Sequence, residues 1–153
     1  MSTSDGGHRG EAIAAIADRD YETAGDRYTR AGRRVLADPR PDVDPFAPDP
    51  KGWVGVGVGY LATAAVCYRV VGAGERATRR SVEGIAVARD LEAGLDHPVQ
   101  RACLAEFVAD FRAIGKTGNA AGAYEEAADA YESSPPDDRG PQYWGTTPLF
   151  EAA

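Results

Sequence analysis

The sequence predicts an all-α protein of about six helices, paired into three antiparallel helical hairpins that stack as a short superhelix. Three observations carry this. Tyr and Ala recur at matching offsets in two distant stretches, Ala24, Tyr28 and Ala31 ahead of Pro39, and Ala120, Tyr124 and Ala127 ahead of Pro135. Steps of three and four keep such residues on one helical face, where a small Ala admits a neighbouring helix and a Tyr fills the space beside it. Apolar residues elsewhere follow the same period, and after the first segment Gly or Pro falls close behind the end of each. Finally, the only strand-like run, V-G-V-G-V-G after Trp53, has no second run to pair with, and a lone strand leaves its backbone groups unsatisfied.

Each element follows from its pattern. A first helix is expected over 9–18 with Ile13, Ile16 and Ala17 inward, and a second over 20–37 with Tyr21, Ala24, Tyr28, Ala31 and Val35 inward. Residues 38–52 hold five prolines among acidic residues, which predicts a stiff extended connector that Phe46 pins to the body. The third helix, 54–71, directs Val54, Val58, Leu61, Ala65 and Tyr68 inward. The fourth, 75–93, uses Ala77, Ser81, Ile85, Ala88 and Leu91 or Leu95, with Gly94 as terminator. The fifth opens at Pro98 behind Asp96 or His97 and runs to Lys116 on Cys103, Phe107, Phe111 and Ile114. The sixth, 119–133, carries the second Tyr/Ala set and stops before Pro135 and Pro136. Residues 134–153 have no helical period. At 153 residues the whole chain makes one domain with a genuine core.

Composition narrows the functions. Acids outnumber bases 24 to 17, for a formal charge of -7, which argues against nonspecific nucleic-acid binding and against adhesion to anionic membranes. Arg far exceeds Lys and Asp exceeds Glu, a bias resembling proteins of halophilic microbes. At about 1 M salt the Debye length is roughly 3 Å, so packing rather than exposed ion pairs must stabilise such a fold. Cys67 and Cys103 both lie in apolar helical patterns, which predicts two buried, reduced thiols. The opening residues are polar and lack a signal-peptide core. A cytoplasmic location is the expectation. The segment 53–71 has the length of a membrane span and contains Gly55-x-x-x-Gly59. Its Gly, Ala and Thr content and Arg69 favour a buried helix of a soluble protein.

The Ala-x3-Tyr-x2-Ala pattern with its downstream proline resembles the second helix of a tetratricopeptide (TPR) repeat. Asp20 and Tyr21 match the acidic-aromatic turn opening that helix, and Gly115, Ala120, Tyr124, Ala127 and Pro135 correspond in the last hairpin. The phrase GNAAGAYEEAADAY is also similar to the divergent TPR-like helices of soluble NSF attachment proteins. The first-helix Trp and Leu-Gly of the family pattern are missing, and the proline-rich connector interrupts regular stacking. The resemblance implies a scaffold that presents a groove to a peptide or protein.

No chemistry-bearing motif competes strongly. Gly115-Lys116-Thr117 lacks the earlier glycine and preceding strand of a phosphate loop, so it predicts a helix-to-helix turn. Gly55, Gly57 and Gly59 lack dinucleotide-fingerprint spacing. His8 and His97 are far apart and neither adjoins a Ser or Cys nucleophile; His97 is expected to cap a helix. No catalytic residue, metal site or cofactor is expected. The partner-binding candidates are Arg69 on the third helix, beside Ala62 and Val66, and Arg101, Arg112 and Lys116 on the fifth, beside Ala105 and Val108. In TPR-like proteins the first helix of each hairpin lines the groove, so by that analogy these cations would hold an acidic segment or a C-terminal carboxylate. Arg27, Arg30 and Arg34 form a further stripe on the second helix, with Asp26 placed to pair with Arg30. The expectation is a nonenzymatic scaffold or adaptor; the alternative is a helical enzyme or small-anion-binding protein using groove arginines. Tyr143, Trp144, Leu149 and Phe150 must bury themselves on the body or on a second copy, since leaving each wet forfeits about 1.5–3 kcal/mol.

Overall fold

The computed structural model describes residues 3–40, 42, 44–45 and 52–134. Among these, six helices follow in order: α1 (Thr3–Ala17), α2 (Tyr21–Leu36), α3 (Trp53–Val70), α4 (Gly74–Gly94), α5 (Pro98–Gly115) and α6 (Ala120–Ser133). No strand occurs among the described residues. The fold is all-α, as the periodicity predicts.

Local chemistry sets the boundaries. Asp20 caps α2 by accepting from the Thr23 N–H at 3.2 Å, and Asn119 caps α6 by accepting from the Gly122 N–H at 2.9 Å. His97 caps α5 through its ring Nδ1, which accepts from the Val99 N–H at 3.2 Å, with Pro98 in the first turn. The glycine that precedes α3 offers no side chain. Instead the Pro45 carbonyl, on the connector, accepts from the Val54 and Gly55 N–H groups at 3.0 and 3.2 Å. Asp44 accepts from Gln100 Nε2 at 3.0 Å, so this part of the connector is pinned to α5. Phe46, expected to pin the connector, lies outside the described residues, as does the aromatic tail at 143–150.

Successive helices are antiparallel neighbours, joined by short turns except across the 37–52 connector between α2 and α3. Each helix packs on the next, and α3 also packs on α5. Two ion pairs, Arg76 with Asp26 and Arg33 with Glu83, join α4 to α2; each spans 50 positions, so those helices run parallel. The Arg69 Nε donates to the Ile114 carbonyl at 2.9 Å, which sets the C-terminal ends of α3 and α5 together. α3 is therefore central.

Its inner residues Val54, Val58, Leu61, Ala65 and Tyr68 are all fully buried, as are Cys103, Phe107 and Phe111 of α5. Apolar burial on this scale is the main stabilising contribution. Glycines let the helices close in: a Cβ on Gly84 would fall 2.3 Å from Phe111 Cζ, and one on Gly25 would fall 2.6 Å from the Tyr68 ring. Small residues thus create the seats for large rings. α1 differs from expectation. It begins six positions earlier than predicted, and Ala12 and Ala15 are buried while Ile13 is 46% exposed and Ala17 is exposed. The close α1–α2 approach selects the small residues over the branched one.

Tyr28 and Tyr124 are less enclosed than the packing pattern requires. Tyr28 is half-buried against Tyr60, ring centroids 5.8 Å apart, and Tyr124 is 38% exposed with its hydroxyl on Asp110.

Candidate functional site

The outward face of α3 is made by Val56, Gly59, Thr63, Val66 and Val70, spaced three and four apart and therefore in line. None is charged. Val56, Gly59 and Thr63 are half-buried, and a Cβ on Gly59 would meet nothing within 4 Å. Val66, Val70 and the adjoining Val71 are 39%, 59% and 45% exposed. These three account for half of the large hydrophobic side chains exposed among the described residues. The same helix is long and apolar enough to cross a membrane by length and composition, yet 56% of it is buried inside the fold.

Cations gather at this end of the molecule. Arg69 is half-buried, and its guanidinium lies between the Ile114 carbonyl and Gly74, whose added Cβ would sit 3.1 Å from the Arg69 Nη1. Arg112, two residues before Ile114, is half-buried, and Lys116, two residues after, is exposed at the end of α5 in the left-handed conformation, φ 54°. A helix C-terminus carries partial negative charge, which favours cations here. Arg112 and Lys116 have no acidic partner among the described residues. Arg101 is exposed eleven residues before Arg112, about 16 Å along the helix. Arg69, Arg112 and Lys116 thus lie toward the C-terminal ends of α3 and α5, with the Arg112 Nε 3.9 Å from where a Gly118 Cβ would sit in the turn to α6, and Arg101 lies toward the other end of α5.

Two members of the predicted stripes belong to the interior. Ala62 and Val108 are 0% and 1% exposed and share the main core cluster. The pairing expected for Asp26 with Arg30 is replaced as well. Asp26 accepts from the Tyr68 hydroxyl at 2.6 Å and pairs with Arg76, which also reaches Glu22 at 3.0 Å and lies 4.3 Å over the Tyr68 ring. A partner that also binds a buried phenol outweighs an exposed i,i+4 contact worth a few tenths of a kcal/mol. Arg27 meets Glu11 at 2.8 Å. Arg33 holds Glu83 through two contacts of 2.9 and 2.8 Å, and with Arg80 keeps the Glu83 carboxyl below its ordinary range against the opposing effect of burial.

Nucleophilic chemistry has little to work with. Cys67 and Cys103 are free thiols, and burial pushes them to about 11 and about 12, which keeps them protonated and inert. Among the described residues no group of three His, Cys, Asp or Glu side chains could hold a metal ion. Gly115, Lys116 and Thr117 form the turn between α5 and α6, where the Thr117 N–H donates to the Arg112 carbonyl at 3.1 Å.

One constellation escaped the sequence. Glu106 and Asp110, on successive turns of α5, receive the hydroxyls of Tyr131 at 2.7 Å and Tyr124 at 2.5 Å from α6. Tyr131 also lies 3.2 Å from the Cys103 sulfur. The i,i+4 spacing of the acids and the seven-residue spacing of the tyrosines are readable in sequence, but not which helix would face which. No protein-family model, curated protein or solved structure matches the chain.

Proposed function

We propose that the chain is a nonenzymatic cytoplasmic scaffold of stacked TPR-type hairpins, which docks a peptide or protein segment on the outward face of α3. The observation that carries this is the exposed trio of Val66 and Val70 on α3 and Val71 at its C-cap. Grouped apolar surface of this kind, rimmed by polar groups, is typical of interaction sites. Arg69 on α3, together with Arg112 in the last turn and Lys116 at the C-cap of α5, whose end Arg69 contacts, favours a segment that brings apolar side chains and an acidic or C-terminal carboxylate. Arg101 extends the cationic side of α5 for a longer acidic partner. Protonated, enclosed thiols suit a recognition module better than a catalyst.

The test is co-purification from native cells of the wild type, the V66S/V70S variant and the R112E/K116E variant, with circular dichroism to verify equal helicity. Partner recovery is expected to fall at least tenfold in both variants, a loss of about 1.4 kcal/mol or more. Undiminished recovery by both would overturn the assignment.

A further inference from the structure

Helix α6, like α1, is weakly anchored. It buries only Ala123 and Ala127, with Ala120, Gly122, Ala130 and Tyr131 half-buried, and its principal neighbour is α5. Its charges are Glu125, Glu126, Asp129 and Glu132, with no Arg or Lys. The face of α5 beneath it presents Glu106 and Asp110. An acidic helix therefore rests on an acidic surface.

What joins them is a pair of phenol-to-carboxylate hydrogen bonds, Tyr131 to Glu106 and Tyr124 to Asp110. No described salt bridge crosses this seam. Among the described residues, the groups acting on Asp110 are Tyr124 from α6 and Glu106 from the preceding turn of α5, and the one acting on Glu106 is Tyr131. No cation of α3 or α4 figures among them. Docking α6 takes water from two carboxylates and, among the described residues, supplies two phenols but no countercharge. That arrangement favours the docked helix when a carboxyl is neutral.

We propose that α6 is a proton-controlled latch, closing on α5 when the Glu106–Asp110 pair takes up a proton and loosening when both are ionised. Burial supports this independently of the hydrogen-bond count, pushing Asp110 up to about 6 and raising Glu106, each opposed by its tyrosine. Once α6 swings away, Asp110 regains water and returns toward the ordinary value of 3.8. The sign follows by linkage. The docked state binds more protons between those values, so docking tightens as pH falls through about 6 and gains nothing further below about 4. From pH 7.5 to 5.0 the docking constant should rise about tenfold from Asp110 alone. Opening would uncover the α5 side of the core around Cys103. The latch does not depend on the partner-binding role of α3.

Hydrogen exchange of the full chain tests it. Protection factors for α6 amides, corrected for intrinsic exchange and set against α4 amides, are compared at pH 7.5 and pH 5.0. The expected result is an approximately tenfold rise for α6 with α4 unchanged. In D110N, which keeps an acceptor for Tyr124 without charge, α6 protection should already be high at pH 7.5, with most of the rise gone. E106Q provides a second neutral variant should D110N lose helicity, and its rise should be smaller than the wild type's. Constant or falling α6 protection in the wild type at pH 5.0 would overturn the latch. So would a full tenfold rise persisting in folded D110N and E106Q.

Discussion

At the residue scale, glycine decides how near two helices come, and the sign of a substitution depends on what stands opposite. Gly84 faces the fully buried Phe111 ring, so a methyl there would have to displace an aromatic group that has nowhere to go. Gly59 faces open space in the same kind of helix. G84A is therefore expected to destabilise by about 2 kcal/mol. G59A should stabilise by up to about 1 kcal/mol through helix propensity alone. Urea unfolding of both variants checks the pair. The sequence shows Gly84 as a small position, but the ring that fills it comes from a helix 27 residues later. Pairings of that range are not written in local periodicity. The same limit explains Asp26, whose nearest basic neighbour in sequence is not the one it binds.

At the element scale the sequence was most informative. The expected ends of α2 to α6 lie within one residue of those found, because Asp20, Gly94, Pro98 and Asn119 act through local chemistry that needs no tertiary partner. α1 is the exception. Its Gly6 and Gly7 lie ahead of the expected start at Arg9, yet the helix extends through them. Local chemistry also leaves a misfit at the end of α5. Lys116 holds the left-handed conformation that Gly adopts freely, at a cost of about 1–2 kcal/mol for an L-residue. K116G is expected to raise the unfolding free energy by about 1 kcal/mol, partly offset by greater freedom of the unfolded chain. Thermal and urea unfolding would register it. A lysine retained at a stability cost fits a role for its charge in partner docking.

At the scale of the whole molecule, α3 unites fold and proposed function. Three sides of one apolar helix meet α2, α4 and α5, and the fourth faces outward with Val66 and Val70 exposed and Val71 exposed at its C-cap. Val66 was readable in sequence as part of a second stripe on the third helix, with Ala62 and Arg69. Val70 and Val71 were not, because a hydropathy pattern does not say which side of an all-round apolar helix remains uncovered. The interior places of Ala62 and Val108 were hidden for the same reason. Photo-crosslinking in native cells tests the surface most directly, with the photoreactive residue at position 70 and a control at position 82, where Val82 is 53% exposed on α4. The account predicts a discrete protein adduct from position 70 that disappears with R112E/K116E and has no counterpart from position 82. Absence of any adduct at 70, or equal adducts at both positions, would contradict it.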